Sequence, residues 1–204
     1  RYPTVNYIEL WNEPDTTNGH PSIFADLATW RTALVAAAAA VYTAIKAANS
    51  SIKVISPSCQ DVNGADWLDT NFLSIGGDAY CDIIGFHGYL YNEAPEAIET
   101  LISSLNAVVA KYPSLIGKPL YNTEYSWGPR GSTEWGWSDT ESRRIAWQTR
   151  HLVLSAALGV ARQVWYIYPY TSANETAGTA FGGLWNATTA TMSNEGIAFR
   201  EVMS

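Results

Sequence analysis

Short apolar runs alternate with longer amphipathic segments along this chain, and this alternation limits the possible fold more than any other feature. Strands are predicted at residues 5–11, 52–56, 83–87, 120–124 and 163–168. Helices are predicted at residues 25–48, 67–75, 95–111, 138–158 and 195–202. Strands that are separated by helices run parallel and are joined by right-handed crossovers. The sequence therefore predicts an α/β fold.

The composition is that of a globular protein without a surface for nucleic acid or a membrane. Hydrophobic residues make up 47% of the 204 residues and charged residues only 15%, which allows one domain with a substantial core. The net charge of -7 provides no basic face for nucleic acid. No apolar stretch reaches the ~20 residues that a membrane-spanning helix needs. The longest, residues 33–48, is interrupted by Tyr42, Thr43 and Lys46.

Aromatic residues are unusually frequent, with 9 Trp and 12 Tyr. Two interpretations have about equal weight. The rings could form a Trp-rich core, or they could line a cleft in which flat rings stack on the apolar faces of sugars. Composition alone does not decide between a core and a sugar-binding cleft. The position of a site therefore has to be inferred from the sequence motifs.

Two short apolar runs lead into a glutamate that is followed at once by loop-forming residues: Glu13 comes just after the strand at residues 5–11, and Glu124 ends the strand at residues 120–124. A glutamate at a strand end contributes little to packing, and paired carboxylates cleave glycosidic bonds. The 111 residues between them fit three strand–helix units of 37 residues, against ~31 per unit in a complete eight-unit barrel. The spacing predicts a (β/α) barrel with both glutamates at the carboxyl ends of strands, where barrel active sites lie.

Five strands do not close an eight-stranded barrel. The predicted fold class is therefore α/β, a partial TIM (β/α)8 barrel of five parallel strands with helices. About three units are missing, roughly 95 residues at the usual unit length. Other polypeptide is expected to complete the barrel, either a cleaved N-terminal segment or a second copy of the chain. An open doubly wound sheet is the alternative. The barrel is favoured because both glutamate motifs agree with it and the sequence has no nucleotide-binding fingerprint.

The motifs resemble those of the retaining glycoside hydrolases of clan A. Trp-Asn-Glu-Pro at residues 11–14 matches their signature at the end of the fourth barrel strand. Thr-Glu at residues 123–124 stands where they carry the nucleophile, at the end of the seventh strand. Gly-Phe-His-Gly-Tyr at residues 85–89 resembles the end of their sixth strand, and Val-Trp-Tyr at residues 164–166 resembles the eighth.

The resemblance covers essentially the whole chain. It implies that residues 1–204 are a single catalytic domain, the carboxyl-terminal five units of the barrel. Residues 9–15 look most like family 39, which includes β-xylosidases. The implied substrate is a β-linked glycan, of the xylan or the glucan type.

The positions of the two glutamates suggest their roles. Glu13 is the candidate general acid/base, with a surface glutamate as its alternative. Glu124 is the candidate nucleophile, with a structural salt bridge as its alternative. If both roles hold, the carboxyl groups lie ~5–5.5 Å apart and the reaction retains anomeric configuration. Neither motif requires a metal or a cofactor.

Three polar residues beside the glutamates are candidates for binding substrate, each with a structural alternative. Asn12 could donate to the sugar 2-hydroxyl, or it could be a turn residue. Tyr89 could hold Glu124 through its hydroxyl, or it could be a half-buried core residue. His87 could contact the sugar, or it could be a satisfied core histidine.

Two tryptophans are further candidates. Trp165 is expected to form the floor of the sugar site, with packing inside the barrel as the alternative. Trp127 begins a Gly-rich loop at residues 127–137 that carries three Trp residues. This loop could form further subsites or a lid, or it could shield the barrel rim.

Several other interpretations remain open. The main rival is a carbohydrate-binding pseudoenzyme or an inactive half-barrel fragment, and a transglycosylase is a second. Glu9 should share a strand face with Trp11 and Glu13, but the sequence gives it no partner. Cys59 and Cys81 are expected at opposite ends of the strands and therefore as free thiols. The compartment is undetermined, and secretion is favoured.

Overall fold

A computed structural model of the chain describes residues 5–16, 19, 20, 22, 24, 26–60, 63–90, 93–126, 141–166, 169–171, 173 and 183–203. The chain forms two compact units. The first contains Arg1–His87 and Leu101–Tyr121, and the second contains Gly88–Thr100 and Asn122–Ser204.

Helices and strands alternate through most of the described chain. The strands are β1 Tyr7–Glu9, β2 Lys53–Ile55, β3 Cys59–Gln60, β4 Ile84–His87, β5 Leu120–Tyr125, β6 Val160–Trp165, β7 Pro169–Tyr170, β8 Trp185–Asn186 and β9 Thr191–Met192. The helices are α1 Leu27–Ala48, α2 Gly64–Asn71, α3 Ile98–Val109, α4 Glu141–Ala157 and α5 Asn194–Met203. Short 3₁₀ turns cover Leu73–Ile75, Gly77–Tyr80, Pro95–Ala97 and Pro113–Leu115.

Parallel strand pairs form the sheets of the first unit. β1 pairs with β2, with Glu9 opposite Ile55, and β3 pairs with β4, with Gln60 opposite His87. The first residue of β4 donates to the carbonyl of Pro119, just before β5, at 3.0 Å. Parallel pairing brings the carboxyl ends of neighbouring strands to one edge of a sheet. Glu9 and His87 both stand at such ends.

Helix α1 begins at a side-chain cap and buries one narrow stripe. Asp26 accepts a 2.7 Å hydrogen bond from the backbone N–H of Thr29, which satisfies one free donor of the first turn. Trp30, Leu34 and Ala38 are its buried residues, four positions apart on one face. In the described part of the chain, α1 is also the one helix long and apolar enough to cross a membrane by length and composition. A core-facing stripe of this kind is the pattern of a helix packed on a protein core.

An ion pair attaches the end of α1 to the strands. Lys46 Nζ lies 2.7 Å from Asp82 Oδ2, and the same oxygen accepts from the backbone N–H of Val54 at 2.8 Å. Burial opposes ionisation of Asp82, but the hydrogen bonds from Lys46 and Val54 outweigh it, so the pKa of Asp82 is below its ordinary value. The junction between α1, β2 and the segment that leads into β4 therefore depends on a charged carboxylate.

The second unit packs α4 against α5 and against the sheet. Arg144 of α4 donates to the buried carboxylate of Glu195 in α5 at 3.0 Å. Tyr166 N–H donates to the carbonyl of Tyr125 at 2.9 Å, which joins the end of β6 to the end of β5. β7 pairs with β8 in parallel, and β8 pairs with β9 antiparallel. A cluster of buried residues forms the core beside β5 and β6: Tyr125, Leu152, Trp165 and Leu184.

The predicted α/β class is confirmed, and all five predicted strands are present in the predicted order. The predicted helix at residues 67–75 is divided, because α2 ends at Asn71 and a 3₁₀ turn leads to Gly76 at φ 99°. The strand predicted at residues 163–168 begins earlier, at Val160. The two-residue strands β3, β7, β8 and β9 were not predicted. The completion of a barrel by other polypeptide stays a prediction, as does the single catalytic domain.

Both cysteines are buried free thiols in the first unit. Burial raises the pKa of Cys59 well above its ordinary value, and the nearby carboxylates of Asp15 and Glu13 add to this. Burial also raises the pKa of Cys81, to about 12. Both groups therefore stay protonated at neutral pH and behave as small apolar side chains.

Candidate active site

His87, the last residue of β4, lies between two carboxylates in the first unit. Its side chain is 1% exposed. Nδ1 lies 2.8 Å from Oε1 of Glu13, within hydrogen-bonding distance, and Nε2 lies 3.7 Å from Oε1 of Glu9. The structure thus supplies the partner for Glu9 that the sequence did not reveal. For His87, contact with a sugar stays a prediction.

The backbone of Glu13 adopts a left-handed conformation, with φ 45°. This region is costly for a residue with a side chain and persists where surrounding contacts enforce it. Its N–H donates to the carbonyl of Ser58 at 2.9 Å, and its carbonyl accepts from the N–H and the hydroxyl of Thr16 at 3.1 and 3.0 Å. Gly19 lies against the same carbonyl, because a Cβ on Gly19 would be only 1.7 Å from that oxygen. The loop after β1 therefore fixes Glu13 from both sides.

Trp11 connects this loop to α1. Its Nε1 donates to the carbonyl of Gly19 at 2.9 Å, and its ring lies 5.1 Å from the ring of Trp30 in an edge-on arrangement. The prediction that Trp11 shares a face with Glu9 and Glu13 is wrong, because β1 ends at Glu9 and strand alternation stops there. The two glutamates contact His87, whereas Trp11 packs on α1.

Asn12 is exposed and forms an isolated parallel bridge with Ser58. Its backbone therefore runs parallel to the residue just before β3. The exposed side chain is available to a ligand, and its predicted contact with a sugar hydroxyl stays a prediction.

In the second unit, Glu124 is held by the residues that follow β4. The hydroxyl of Tyr89 donates to Oε1 of Glu124 at 2.6 Å, so the predicted hydrogen bond is confirmed. The N–H of Gly88 donates both to the carbonyl of Glu124 and to Oδ1 of Asn122, each at 2.9 Å. A Cβ on Gly88 would lie 2.5 Å from Nδ2 of Asn122. This close approach places Tyr89 beside the carboxylate of Glu124.

Trp165 belongs to the core of the second unit. It is 9% exposed, and its ring contacts Tyr125 edge-on at 5.0 Å and Phe199 at 5.8 Å. These contacts favour packing in the core over a role in a sugar site. Its role as the floor of a sugar site stays a prediction.

His151 of α4 supports the strand that carries Glu124. Its ring is stacked on Tyr125 at 4.4 Å, with 15° between the planes. Burial lowers the pKa of His151 to about 3 and raises the pKa of the Tyr125 hydroxyl well above its ordinary value. Both groups are therefore neutral at the pH values at which most enzymes work.

A cavity of about 240 Å³ lies beside the loop of Glu13. The sequence analysis did not predict this cavity. Asp15, which follows the Trp-Asn-Glu-Pro motif directly and lines the cavity, was the one residue of that motif region that could have indicated it. Asp15 Oδ2 accepts from the N–H of Gln60 at 2.9 Å, which connects this loop to β3. The lining combines polar groups with an aromatic ring: Pro14, Asp15, Thr16, His20, Leu27 and Trp67.

The predicted role of Trp127 falls outside the described residues, as does the whole loop at residues 127–137. Its predicted subsites or lid stay predictions. The described candidate residues fall into two groups, each considered by itself: Glu13 with His87 and Glu9 in the first unit, and Glu124 with Tyr89 in the second.

Comparison with known proteins identifies a family. The family described as "Glycosyl hydrolase catalytic core" matches residues 2–191. No curated protein sequence matches the chain significantly.

Solved structures with the same fold include a glucosidase from Croceicoccus marinus, at 15% identity and a TM-score of 0.68 over 96% of this chain and 39% of that one. A family 128 (subgroup I) endo-β-1,3-glucanase from Amycolatopsis mediterranei is 21% identical, with a TM-score of 0.64 over 97% of this chain and 72% of that one. A family 53 catalytic domain from Ignisphaera aggregans is 18% identical, with a TM-score of 0.67 over 97% and 59%. At these identities the likeness shows the α/β fold of glycoside hydrolases.

Proposed function

The chain belongs to the glycosyl hydrolase catalytic core family, and we propose that it hydrolyses β-linked glycans with retention of configuration. Glu13 is the acid/base and Glu124 is the nucleophile. One observation carries the proposal: a carboxylate oxygen of each glutamate has a hydrogen-bonding partner from the end of β4 or just after it. His87 contacts Glu13 at 2.8 Å, and Tyr89 donates to Glu124 at 2.6 Å.

The reaction proceeds in two displacements. Glu13 first gives a proton to the glycosidic oxygen while the carboxylate of Glu124 attacks the anomeric carbon, so the leaving group departs as an alcohol. Glu13 then takes a proton from water, and the resulting hydroxide displaces Glu124 from the sugar. This sequence requires the two carboxyl groups ~5–5.5 Å apart and no metal or cofactor.

The surroundings of Glu13 suit an acid/base. Its side chain is 17% exposed, so it is partly shielded and still reachable by substrate and water. Its backbone is clamped in a left-handed conformation between Ser58, Thr16 and Gly19. Strained backbone that is fixed by its surroundings is frequent at catalytic positions, where a side chain must point in one direction. A surface glutamate without a role would not require this clamp.

The surroundings of Glu124 suit a nucleophile. Tyr89 binds one carboxylate oxygen, Oε1, and thereby orients the plane of the group. Orientation matters because attack on the anomeric carbon needs near-attack geometry. Asn12, exposed beside Glu13, is proposed to bind the sugar 2-hydroxyl, a contact that strengthens in the transition state.

We propose a β-1,3-glucan as the first substrate to test. The family 128 glucanase, 21% identical to this chain, was solved with laminaripentaose, a β-1,3-glucan oligosaccharide. The resemblance of residues 9–15 to family 39 supports a xylosidic substrate instead, so xylo-oligosaccharides are the comparison. A polymeric glucan does not cross membranes, and secretion of the protein is therefore part of the proposal.

The barrel is proposed to be completed by further polypeptide, a preceding segment or a second copy, that lies on β1. In the described chain β1 pairs with β2 alone. Apolar residues on β1, before it and on α1 are exposed by 37% to 47%: Val5, Tyr7, Leu27 and Val41. An exposed strand edge beside apolar side chains is a surface that proteins normally cover.

The decisive experiment measures hydrolysis of laminarin and laminari-oligosaccharides, with proton NMR to follow the anomer that forms first. Retention predicts the β-anomer as the first product. Glu13→Gln and Glu124→Gln should each lose most of the activity, and Glu99→Gln, on an exposed position of α3, is the control of equal charge change. Unchanged turnover in the two active-site variants would remove the proposed pair. Binding of oligosaccharides without turnover by the unaltered protein would favour the pseudoenzyme.

A further inference from the structure

We propose that Asn49 carries an N-linked glycan in the secreted protein. The inference goes beyond the proposed function and shares with it only the secretion of the chain. The acceptor sequence for this modification is Asn-x-Ser or Asn-x-Thr, in which x is not proline. Three such tripeptides occur, at residues 49–51, 174–176 and 186–188. Residues 174–176 lie outside the described part of the chain, so the structure compares the other two.

Asn49 stands at a position that has room for a bulky sugar chain. It follows α1 directly, and residues 47–51 are all exposed. Its N–H donates to the carbonyl of Ile45 at 2.8 Å, and its carbonyl accepts from the N–H of Ile52 at 3.2 Å. Nζ of Lys46 donates to the carbonyl of Ile52 at 2.6 Å. Backbone groups and one lysine therefore hold the turn between α1 and β2, and none of these bonds needs the side-chain nitrogen of Asn49.

The carboxamide of Asn49 is oriented through its oxygen. Oδ1 accepts from the N–H of Ser51 at 3.0 Å and from the Ser51 hydroxyl at 2.7 Å. Nδ2, the atom to which a glycan is attached, has no hydrogen-bond partner among the described residues. Attachment of a sugar to Nδ2 therefore breaks no hydrogen bond in the described part of the chain.

Asn186 provides the opposite case within the same protein. It lies in β8 and is 8% exposed. Its Oδ1 accepts from the N–H groups of Thr188 at 2.9 Å and of Thr189 at 3.2 Å. A glycan on a side chain buried to this degree would displace the residues packed around it, since protein interiors are close-packed. The folded protein should therefore carry no glycan at Asn186.

A glycan at Asn49 would leave the candidate residues of the first unit accessible. Asn49 precedes the amino end of β2, which begins at Lys53. Glu9 is aligned with Ile55, the last residue of β2, and Glu13 follows Glu9 along the chain. The glycan and the two glutamates therefore belong to opposite ends of β2.

The modification is a glycosyl transfer from a lipid-linked oligosaccharide diphosphate, catalysed by a transferase of the secretory pathway. A bond forms between Nδ2 of Asn49 and the anomeric carbon of the first sugar. The bond from that carbon to the diphosphate oxygen breaks, and the lipid diphosphate leaves with the electron pair. Nδ2 gives up one proton, and the product is a neutral, bulky and solubilising group on the surface.

Peptide mapping of the secreted protein tests the proposal. The chain is expressed with a signal peptide in eukaryotic cells, and peptide-N-glycosidase in heavy-oxygen water then converts each glycosylated Asn into a labelled Asp. Mass spectrometry should find the label at Asn49 and none at Asn186. Ser51→Ala should abolish the label although Asn49 remains, and Ser51→Thr, which keeps a hydroxyl, should retain it. Thr188→Ala is the matched control and should leave the glycan pattern unchanged.

Two results would overturn the proposal: an unlabelled Asn49 in the unaltered protein, or a label at Asn49 that persists in Ser51→Ala. Asn49 would then serve only to close the turn with Ser51. A label at Asn186 in folded protein would show that burial does not select the acceptor, and it would overturn the distinction between the two sites. If the chain is not secreted, translation in the presence of endoplasmic-reticulum membranes, followed by the same mapping, decides on Asn49 in the same way.

The readout needs no substrate, which separates this inference from the proposed function. A chain that is labelled at Asn49 and hydrolyses no glycan would overturn the proposed function alone. A chain that hydrolyses β-glucan and is not labelled at Asn49 would overturn this inference alone.

Discussion

The hydroxyl of Tyr89 donates to Oε1 of Glu124 at 2.6 Å, and this bond connects the turn after β4 to the end of β5. The turn is fixed independently, because the N–H of Gly88 binds the backbone of Glu124 and the side chain of Asn122. These bonds hold the backbone next to Tyr89, and the hydroxyl of Tyr89 contacts one oxygen of the Glu124 carboxylate.

Removing that hydroxyl should slow the reaction more than it loosens the fold. In Tyr89→Phe the ring remains, so we expect Tm to shift by less than about 3 °C, since about 1 kcal/mol corresponds to a few degrees in a domain of this size. A hydrogen bond to a charged group contributes about 1.5–3 kcal/mol. We therefore expect kcat to fall between about tenfold and a hundredfold. Steady-state kinetics with laminari-oligosaccharides measures this, and unchanged kcat would mean that Tyr89 does not orient the nucleophile.

Azide should distinguish the two glutamates by the product it forms. If Glu124 is the nucleophile as proposed, Glu13→Ala still forms the glycosyl-enzyme, and azide should attack it to give a β-glycosyl azide. In Glu124→Ala, azide should then take the place of the missing carboxylate and give the α-azide. Aryl β-laminaribiosides with good leaving groups are the substrates, and NMR identifies the anomer. If Glu13→Ala gave the α-azide and Glu124→Ala gave the β-azide, the two roles would have to be exchanged.

The left-handed backbone at Glu13 depends on the absence of a side chain at Gly19. A Cβ at that position would lie 1.7 Å from the carbonyl of Glu13, so Gly19→Ala must displace the loop. We expect kcat to fall at least about tenfold and stability to fall by about 1–3 kcal/mol, the range for overpacked sites. Gly117→Ala is the control, because Gly117 has φ 81° and open space around its Cβ position. It should reduce stability and leave kcat unchanged.

Sequence reasoning located the strands and the glutamates because each depends on local information. The run of apolar residues that forms β4 and the helical periodicity of α1 are set by which side chains must be buried. The hydrogen bond between Tyr89 and Glu124 was predictable from the family motif, since Tyr89 follows one predicted strand and Glu124 ends the next.

Other features depend on long-range contacts that the pattern does not encode. The backbone of Glu13 is held by Thr16 and Gly19 of its own loop and by Ser58, and the hydrogen bond to Ser58 joins it to a segment 45 residues away in the sequence. The proximity of Glu9 to His87 brings together the ends of β1 and β4, two strands of different sheets. The two-residue strands β7, β8 and β9 are too short for periodicity to indicate them.

Asp82 should make stability fall in strong acid. Its pKa is lowered in the folded state, where bonds from Lys46 and Val54 outweigh the effect of burial. A carboxylate of this kind stabilises the fold above its unfolded pKa of about 4, and the contribution disappears as pH falls through the folded value. Asp82→Asn should therefore cost about 1 kcal/mol at pH 7, a value reduced for partial exposure. Urea unfolding at pH 7 and pH 3 measures the difference in the free energy of unfolding between Asp82→Asn and the unaltered protein. This difference should be smaller at pH 3. A difference independent of pH would mean that the charge of Asp82 contributes nothing.

His151 should affect stability in a milder acid range. Burial lowers its pKa to about 3 in the folded protein, whereas an unfolded histidine has a pKa of about 6.5. Between these values the unfolded state binds more protons, so stability rises with pH and falls as pH decreases from 6.5 toward 3. One such group changes the free energy of unfolding by at most about 1.4 kcal/mol per pH unit.

His151→Phe isolates this effect, because phenylalanine retains a ring to stack on Tyr125 and does not titrate. At pH 7 the free energy of unfolding of the variant should be lower than that of the unaltered protein, because the polar contacts of the imidazole are lost. As pH falls from 6.5 to 4.5, the unaltered protein should lose stability relative to the variant, so the gap should narrow by about 2 kcal/mol. Urea unfolding at half-unit pH steps measures both curves. Parallel curves across this range would mean that His151 is protonated in the folded protein as readily as in the unfolded chain, and that its ring beside Tyr125 is open to water.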